Sequence, residues 1–366
     1  MRVALVYDRL NKMGGAEVIL QSFHTLYPGA DWYTSVWDES RTPFTRGWRV
    51  NTSWLSRIPF VRTRHEWIPW LMPFVFETFD FRVYDLVISI GSAEAKGIVT
   101  RPETLHLHYC LTPTRYLYSH QSEYLSNPLY RAIAKPLRAW DQVAAYRPDH
   151  MIAISEQVKK RIKKYYNRQS LVVYPPVNTK KFSKPQTSNI QNLQPNYYLV
   201  VSRLVPYKKI DLVIQACNAM QKPLVVVGEG HELSRLKHLS GPTIRVVGHV
   251  DSKQLVQYYQ GARALIHAGI EDFGIAMVEA QASGKPVIAY REGGACEIVK
   301  NGQTGILFRS QTVHGICQAV DTFETMTIDP NACRESALRF DERQWQQIMQ
   351  ATIKELWRTR LQTLKY

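Results

Sequence analysis

ALIHAGIEDFGIAMVEAQASGKPVIA, residues 264–289, is the stretch that decides the fold. Its apolar run at 264–266 predicts a buried strand, and the run at 287–289 predicts another. Between them, apolar residues recur with helical spacing after Gly274, so the stretch predicts strand, loop, helix and strand. Two strands joined by a crossover helix are typical of a parallel sheet covered by helices.

The same alternation continues in both directions from this stretch. Further apolar or β-branched runs lie at 3–7, 86–90, 105–109, 151–154, 171–174, 197–201, 224–227 and 244–247. Residues 175–195 are rich in Pro, Asn, Gln, Ser and Lys, as expected of an interdomain linker. A chain of 366 residues fits two domains. We therefore predict an α/β protein with two doubly wound sheets, a cleft between them, and one long helix at 342–361.

Composition narrows the class of partner. Lys and Arg number 46 against 31 Asp and Glu, a net charge of +15, which favours nucleic acid, acidic lipid or a diphosphate substrate. No zinc-finger or RNA-binding signature is present, and the basic run at 159–164 is typical of a solvated helix face, so we do not expect nucleic acid. The five scattered cysteines lack a CxxC pair, which argues against a disulfide framework or a zinc site and favours a reducing compartment.

The chain has no sequence feature of an exported or membrane-spanning protein. MRVALVYDRL at the N-terminus reads as a first strand rather than a signal peptide. No stretch approaches the roughly 20 uncharged apolar residues that a membrane-spanning helix needs. We expect a cytoplasmic protein, with peripheral contact on the inner face of the plasma membrane left open.

Acidic residues follow the strand at 264–266. Glu271 and Asp272 lie in the loop, Gly274 permits a close backbone approach, and Glu279 falls in the second turn of the helix. Carboxylates so placed can accept hydrogen bonds from sugar hydroxyls, while free amides at the helix start bind hydroxyls or phosphate. Helix capping alone would explain Glu271. It would not explain a second acid facing the same region.

Two further loops carry candidate phosphate ligands. Arg203 and Lys208 follow the run at 197–201, where they could grip a diphosphate, although surface charge near a turn explains them equally well. Gly14 and Gly15 lie between the first strand and an apolar helical pattern. Paired glycines there let backbone amides approach an oxyanion, but a plain tight turn is the simpler interpretation.

Taken in order, these motifs resemble the retaining glycosyltransferases of family four, which have the GT-B fold, and especially the branch with bacterial O-antigen mannosyltransferases. The resemblance rests on GGAE at 14–17, YDLVIS at 84–89, AKG at 95–97, HYCLTPTRYLY at 108–118, VVYPPVN at 172–178, VSRLVPYKKIDL at 201–212, VGEG at 227–230, VVGHV at 246–250, EDFGIAMVEAQASGKPVIAY at 271–290 and GGACEIVKNGQTGILF at 293–308. Such a series in one order is specific to the family.

The resemblance implies a domain layout and a set of roles. Residues 1–180, with a returning helix at about 345–366, would form the acceptor-binding Rossmann-like domain, and 195–344 the nucleotide-sugar-binding one. Arg203 and Lys208 would clamp the diphosphate, Glu271 would hold the transferred sugar, and these three are the implied catalytic residues. The remaining implied donor contacts are Gly14, Gly15, Gly228, Val250 beside the base, Phe273, Gly274, Ile275, and Glu279 on the ribose. No DxD sequence occurs, so the motifs require no metal and no cofactor besides the donor.

One position departs from the family pattern. Where relatives usually read YCHTP this chain has Leu111, so a polar contact to the transferred sugar is missing or supplied elsewhere. His106 and His108 could substitute, because residues two apart on a strand share a face. A packed or hydrogen-bonded structural histidine is the simpler interpretation of each.

The segment 54–79 interleaves aromatic and basic residues. Its aromatic members are Trp54, Trp67, Trp70, Phe74, Phe76 and Phe79, and its basic members are Arg57, Arg62, Arg64 and His65. Such a surface suits docking onto anionic lipid and admitting a lipid-linked acceptor. The alternative is that the aromatics fill the core.

The resemblance thus implies a retaining hexosyltransferase, with mannose from GDP-mannose as the favoured donor. Its acceptor would be a glycan or a polyprenyl-diphosphate-linked glycan in surface polysaccharide synthesis. Three alternatives stay open: a transferase that uses a UDP-sugar, a sugar-nucleotide 2-epimerase, and a non-catalytic sugar-nucleotide-binding protein.

Overall fold

The computed structural model describes residues 1–58, 68–119, 128–185 and 196–363. The chain divides into two compact units. The first contains Met1–Tyr174 together with Gln346–Tyr366, and the second contains Pro175–Trp345. Each unit is built around one parallel sheet with helices, so the predicted α/β architecture of two doubly wound sheets is confirmed.

The first unit has a seven-stranded sheet with the order β3-β2-β1-β4-β5-β6-β7. Its strands are β1 Val3–Tyr7, β2 Asp31–Thr34, β3 Arg49–Thr52, β4 Leu86–Gly91, β5 Leu105–Cys110, β6 His150–Ala153 and β7 Leu171–Val172. The central strands β4 and β5 are buried along their whole length. This is the pattern expected of parallel strands covered on both faces.

The helices of the first unit connect these strands. They are α1 Glu17–Leu26, α2 Met72–Glu77, α3 Arg115–Tyr118, α4 Pro128–Ala144 and α5 Glu156–Tyr166. Helix α5 shows how the sequence sets the packing. Val158, Ile162 and Tyr166 recur at helical spacing and are buried, whereas Lys160, Lys163 and Lys164 are exposed. The basic run is therefore a solvated helix face.

The second unit has a six-stranded sheet with the order β10-β9-β8-β11-β12-β13. Its strands are β8 Tyr198–Val201, β9 Leu224–Val227, β10 Ile244–Gly248, β11 Ala264–His267, β12 Val287–Tyr290 and β13 Gly305–Phe308. Its helices are α6 Thr179–Ser183, α7 Ile210–Ala219, α8 Leu233–Leu239, α9 Ser252–Gly261, α10 Ile275–Ala282, α11 Ala295–Ile298, α12 Val313–Glu324 and α13 Pro330–Leu338. One core cluster joins the sheet to α7 and α12, through Val213, Ile214, Ile316 and Val320 among others.

Both sheets reverse their strand order at one place, between β1 and β4 in the first unit and between β8 and β11 in the second. Connections leave in opposite directions from such a switch point, so the carboxyl ends of the two strands are left open to a ligand. Residues that directly follow β8 and β11 are therefore the ones that the fold places around a binding site.

The last helix, α14, spans Glu342–Thr363 and agrees with the helix predicted at 342–361. From Gln346 onward it belongs to the first unit. Met349 and Ile353 on this helix are buried, with 1% and 3% exposure, and Arg360 Nη1 lies 2.7 Å from Asp149 Oδ1. The predicted packing of the C-terminal helix on the N-terminal domain is thus confirmed. Of the predicted linker, residues 186–195 lie outside the described part of the chain.

Candidate functional site

Lys208 and Glu271 meet at the switch point of the second sheet. Lys208 closes a 3₁₀ turn, Pro206–Lys208, that follows β8, and Glu271 lies in the loop after β11. Strands β8 and β11 are parallel neighbours, so both loops emerge at the same edge. The Lys208 Nζ donates to Glu271 Oε1. The side chains are only 8% and 19% exposed, so this ion pair is held at a largely dry position where charge interactions are strong.

A histidine adjoins this pair. His267 is the last residue of β11 and its Nε2 lies 3.8 Å from the same Glu271 Oε1. Burial lowers the pKa of His267 to about 4, an effect that Lys208 reinforces and Glu271 opposes. The imidazole is therefore neutral at pH 7. The sequence did not indicate this residue, because the apolar run that predicts β11 ends at Ile266.

Glu279 lies on α10 and receives a hydrogen bond from another helix. The Tyr259 hydroxyl, on α9, donates to Glu279 Oε2 at 2.8 Å, and Tyr259 itself is fully buried. Burial raises the pKa of Glu279 to about 7, although the Tyr259 hydrogen bond and the Lys181 charge act in the opposite direction. The raised pKa means that the charged form of Glu279 is costly to bury and has too few hydrogen-bond donors around it. Such a carboxylate is suited to accept hydrogen bonds from ligand hydroxyls.

Arg203 is exposed and is the second residue after β8. Its Nη2 donates to the Tyr207 hydroxyl at 2.7 Å, and Lys208 Nζ lies 5.2 Å from the centre of the Tyr207 ring. Tyr207 thus links the two predicted phosphate ligands. Tyr207 lies within the motif VSRLVPYKKIDL, but the sequence alone did not predict this contact.

The other predicted donor contacts of the second unit follow neighbouring strands. Gly228 follows β9, with a φ of +143° and no room for a Cβ, which would collide with the Ser202 carbonyl oxygen. Val250 lies two residues after β10 and is half-buried. The loops that carry them therefore leave the same edge of the sheet as those of Arg203 and Glu271.

Gly274 and the contacts of Phe273 define the start of α10. Gly274 caps the helix in a left-handed conformation with a φ of +106°, which a residue with a Cβ rarely adopts. Phe273 is buried with its ring against Phe340, at 5.1 Å between centroids. The Gly294 amide donates to the Glu271 carbonyl at 2.9 Å. Together these contacts fix the loop that carries Glu271 and the helix end that begins at Ile275.

In the first unit, the glycine loop is engaged by its own chain. The amides of Gly14 and Gly15 both donate to the Glu17 carboxylate, the second at 2.6 Å. An anionic group therefore already lies against the two amides that were predicted to meet a phosphate. Glu17 is the first residue of α1, where a negative charge is also favoured by the helix dipole.

The switch point of the first sheet is closed by Asp8, which follows β1. Its carboxylate accepts hydrogen bonds from the amides of Ser92, Ala93 and Ala95 at 2.9 to 3.1 Å. These amides belong to the loop after β4, so one buried side chain fixes two strand ends. The sequence alone did not indicate this role of Asp8.

His106 and His108 are structural residues of the first sheet. Both are buried, and their ring nitrogens lie 2.8 and 2.9 Å from the Ser89 hydroxyl on neighbouring β4. Burial lowers the pKa of each histidine. Leu111 follows β5 and is half-buried. The predicted shared face of the two histidines is thus correct, and it directs both rings at Ser89.

The described part of segment 54–79 has both buried and exposed aromatic side chains. Phe76 is fully buried and Phe79 packs partly against the same cluster. Leu55 packs with Met72 and Val75, and the large apolar side chains exposed in the described part of this segment are Trp54, Ile58, Trp70 and Phe74. We call these four the apolar patch. Trp67, Arg62, Arg64 and His65 lie outside the described residues.

Three further features bear on the class of site. No group of three or more His, Cys, Asp or Glu side chains that could hold a metal ion occurs within 1–58, 68–119, 128–185 and 196–363. All five cysteines are free thiols. Among the helices of the described chain, none is both long enough and apolar enough to cross a membrane.

The chain has the GT-B fold, as its two sheets and its likeness to solved structures show. Sucrose-phosphate synthase from Thermosynechococcus elongatus matches with a TM-score of 0.77 over 98% of this chain and 100% of its own, at 18% identity. The Anabaena protein HepE, solved in complex with UDP-glucose, matches with a TM-score of 0.70 over 97% of this chain and 100% of its own, at 20% identity. At these identities the likeness concerns the fold alone.

Residues 180–340 match the family model described as "Glycosyl transferases group 1". The match covers nearly all of the second unit. A special similarity to O-antigen mannosyltransferases stays a prediction.

Curated relatives match over about half of this chain or less. Glycogen synthase of Mycobacterium tuberculosis is 30% identical over 174 residues, 43% of this chain and 41% of its own length. The GDP-mannose-dependent alpha-(1-6)-phosphatidylinositol monomannoside mannosyltransferase of the same species is 30% identical over 177 residues, 41% of this chain and 46% of its own. D-rhamnosyltransferase WbpZ of Pseudomonas aeruginosa is 26% identical over 192 residues, 49% of each chain. The chain spans about half the length of the curated relatives it matches.

Proposed function

We propose that this protein is a retaining glycosyltransferase that moves a hexose from a nucleotide sugar to a glycan or a polyprenyl-diphosphate-linked glycan. The observation that carries the proposal is the Lys208–Glu271 pair at the switch point of a unit that matches the glycosyltransferase group 1 model. A cation and a carboxylate side by side match a ligand that presents phosphate next to sugar hydroxyls.

In this proposal the second unit binds the donor. Lys208 and Arg203 neutralise the diphosphate, Glu279 accepts from the ribose hydroxyls and Glu271 from the transferred sugar. Gly228, Val250 and the backbone of Phe273, Gly274 and Ile275 complete the donor contacts. In the first unit, the amides of Gly14 and Gly15 are proposed to contact donor phosphate once Glu17 releases them.

The proposed reaction exchanges one bond at the anomeric carbon of the sugar. The bond from this carbon to the phosphate oxygen breaks, and a bond to an acceptor hydroxyl oxygen forms on the same face. The acceptor proton passes to the leaving phosphate, and a nucleoside diphosphate departs. Lys208 and Arg203 stabilise the negative charge that develops on the phosphate. One hydrogen-bond donor placed at such a charge commonly raises the rate about 10²- to 10³-fold.

GDP-mannose is the donor we favour, since one relative is by name GDP-mannose-dependent. A UDP-sugar is the second candidate, because HepE was solved in complex with UDP-glucose. A thermal-shift screen of the full chain against GDP-, UDP- and ADP-sugars separates them, because a ligand that binds only the native state raises its stability. Stabilisation by none of these donors would refute the proposal.

The reaction class is tested on the donor alone and then with acceptor. A transferase should hydrolyse the donor slowly and should form a new glycoside, with the anomeric configuration of the donor, only when a glycan acceptor is added. A 2-epimerase would instead convert the donor into a new sugar nucleotide without acceptor. A binding protein would do neither.

We further propose that the apolar patch of the first unit docks on an anionic membrane. Two exposed tryptophans, Trp54 and Trp70, and Phe74 with 62% exposure suit insertion at the lipid interface, and the exposed Arg57 lies beside them in the sequence. The net charge of +15 adds a general attraction to acidic lipid. Membrane docking would bring the enzyme to a lipid-linked acceptor.

A further inference from the structure

His267 is buried beside the Lys208–Glu271 pair without a hydrogen bond of its own at Nε2. The residue is 6% exposed, and within the described chain its Nε2 has no hydrogen-bond partner. A buried donor that makes no hydrogen bond costs about 1–3 kcal/mol. Such a group in a native protein calls for a reason.

The distance to Glu271 suggests that reason. His267 Nε2 lies 3.8 Å from Glu271 Oε1, beyond the 2.7–3.2 Å range of N–H···O hydrogen bonds. The oxygen that it faces is the one that Lys208 already contacts. A movement of less than about 1 Å would complete the hydrogen bond if Lys208 withdrew.

We propose that His267 is a positioning residue that donates to Glu271 when a bound nucleotide sugar displaces Lys208, with the phosphate attracting the lysine and the sugar hydroxyls taking its place on the carboxylate. A nucleoside diphosphate alone leaves the Lys208–Glu271 pair in place. The inference rests on the proposed function, since it requires that Lys208 bind phosphate. In the free protein Lys208 orients the carboxylate. In the donor complex His267 takes over, so that Glu271 stays directed at the sugar.

The chemistry of the imidazole suits this exchange. With its pKa lowered to about 4 by burial, His267 is neutral at working pH and can carry its single proton on Nε2. A neutral hydrogen-bond donor stabilises the Glu271 carboxylate without competing with the phosphate for Lys208. A second cation at this position would instead repel Lys208 and reduce its affinity for the site.

Three variants of the full chain test the exchange. His267→Phe removes the donor and keeps a ring, His267→Gln keeps an amide donor at a similar reach, and His314→Phe is the control at an exposed histidine on α12 of the same unit. Titration calorimetry would measure dissociation constants for a nucleoside diphosphate and for its sugar conjugate. The probes are GDP with GDP-mannose, or UDP with UDP-glucose, according to which pair the wild type binds.

The expected result is weaker binding of the sugar conjugate alone. His267→Phe should leave the diphosphate constant within about twofold and weaken the sugar conjugate about tenfold, the effect of one hydrogen bond to a charged group. His267→Gln should recover most of this difference, and His314→Phe should match the wild type.

Two results would overturn the inference while leaving the proposed function intact. One is an unchanged preference for the sugar conjugate in His267→Phe. The other is equal weakening of both ligands in His267→Phe and His267→Gln, which is what a purely structural histidine would produce. A wild-type protein that binds neither ligand would overturn the proposed donor site, and the role of His267 with it.

Discussion

Replacing Glu279 with glutamine should make the free protein more resistant to alkaline pH while weakening its hold on nucleotide. In the folded protein burial raises the pKa of Glu279 from an ordinary 4.5 to about 7. Below pH 4.5 the group is protonated in both folded and unfolded chains, and its contribution to stability is fully present. As pH rises towards 7, the unfolded chain releases the proton first, so stability is lost.

The size of the effect follows from the two pKa values. At about 1.4 kcal/mol per pH unit, the rise from 4.5 to about 7 costs about 3 kcal/mol once the pH exceeds both values. Between pH 5 and pH 8 the loss is about 2.5 kcal/mol. This figure is an upper bound, because the side chain keeps some access to solvent. Glutamine cannot ionise and should remove the loss while still accepting from the Tyr259 hydroxyl.

Chemical unfolding of the full chain at pH 5, 6, 7 and 8 measures the difference. The stability of Glu279→Gln should fall less over this range than that of the wild type, by up to about 2.5 kcal/mol. Glu335→Gln, at an exposed glutamate on α13, should follow the wild type. Parallel profiles for wild type and Glu279→Gln would refute the reasoning, as would a variant that is less stable at pH 8 than the wild type.

Three further predictions concern charge and surface. Lys208→Ala should lower transfer by about 10²- to 10³-fold with the circular dichroism of the fold retained, and steady-state rates near the wild type would remove its assigned role. Glu17→Gln should tighten nucleoside diphosphate binding about fivefold in calorimetry, because a neutral side-chain amide competes less well than a carboxylate for the backbone N–H groups of Gly14 and Gly15. Weaker binding would mean that Glu17 only shapes the loop. Phe74→Asp should reduce cosedimentation with phosphatidylglycerol vesicles several-fold, whereas the control Leu338→Asp, at an exposed position of the second unit, should leave it unchanged. Equal losses in the two variants would argue against membrane docking by the apolar patch.

The strands that sequence analysis predicted were the apolar ones. Strand β1 was predicted with its exact bounds at 3–7, and β9 at 224–227. The edge of the first sheet was not predicted, because β2 (DWYT) and β3 (RVNT) lack an apolar run. Their pairing is visible only once β1 is present as a neighbour. Strand β13 was quoted within a motif but not recognised as a strand.

The site was predictable where one loop carries the chemistry. Glu271, Gly274 and Glu279 lie within one strand-loop-helix stretch, so their spacing alone brings them to one edge of the sheet. Tyr259 is different, because it reaches Glu279 from another helix, and nothing local in the sequence signals that contact. The contact of Glu17 with the glycine loop was also missed, since GGAE was interpreted as a ligand loop or a plain tight turn, and neither interpretation gave Glu17 a role.

Helix α14 makes the first unit discontinuous in sequence. Its strands end before residue 175, yet Met349 and Ile353 are buried in a segment that belongs to it. A fragment that stops at residue 174 would lack this helix and leave the apolar surface beneath it exposed, so it should be prone to aggregation. The second unit could be expressed as a single piece ending at residue 345. The first would require residues 346–363 to be supplied as a tethered or added peptide, which makes fragment complementation a practical route to studying it alone.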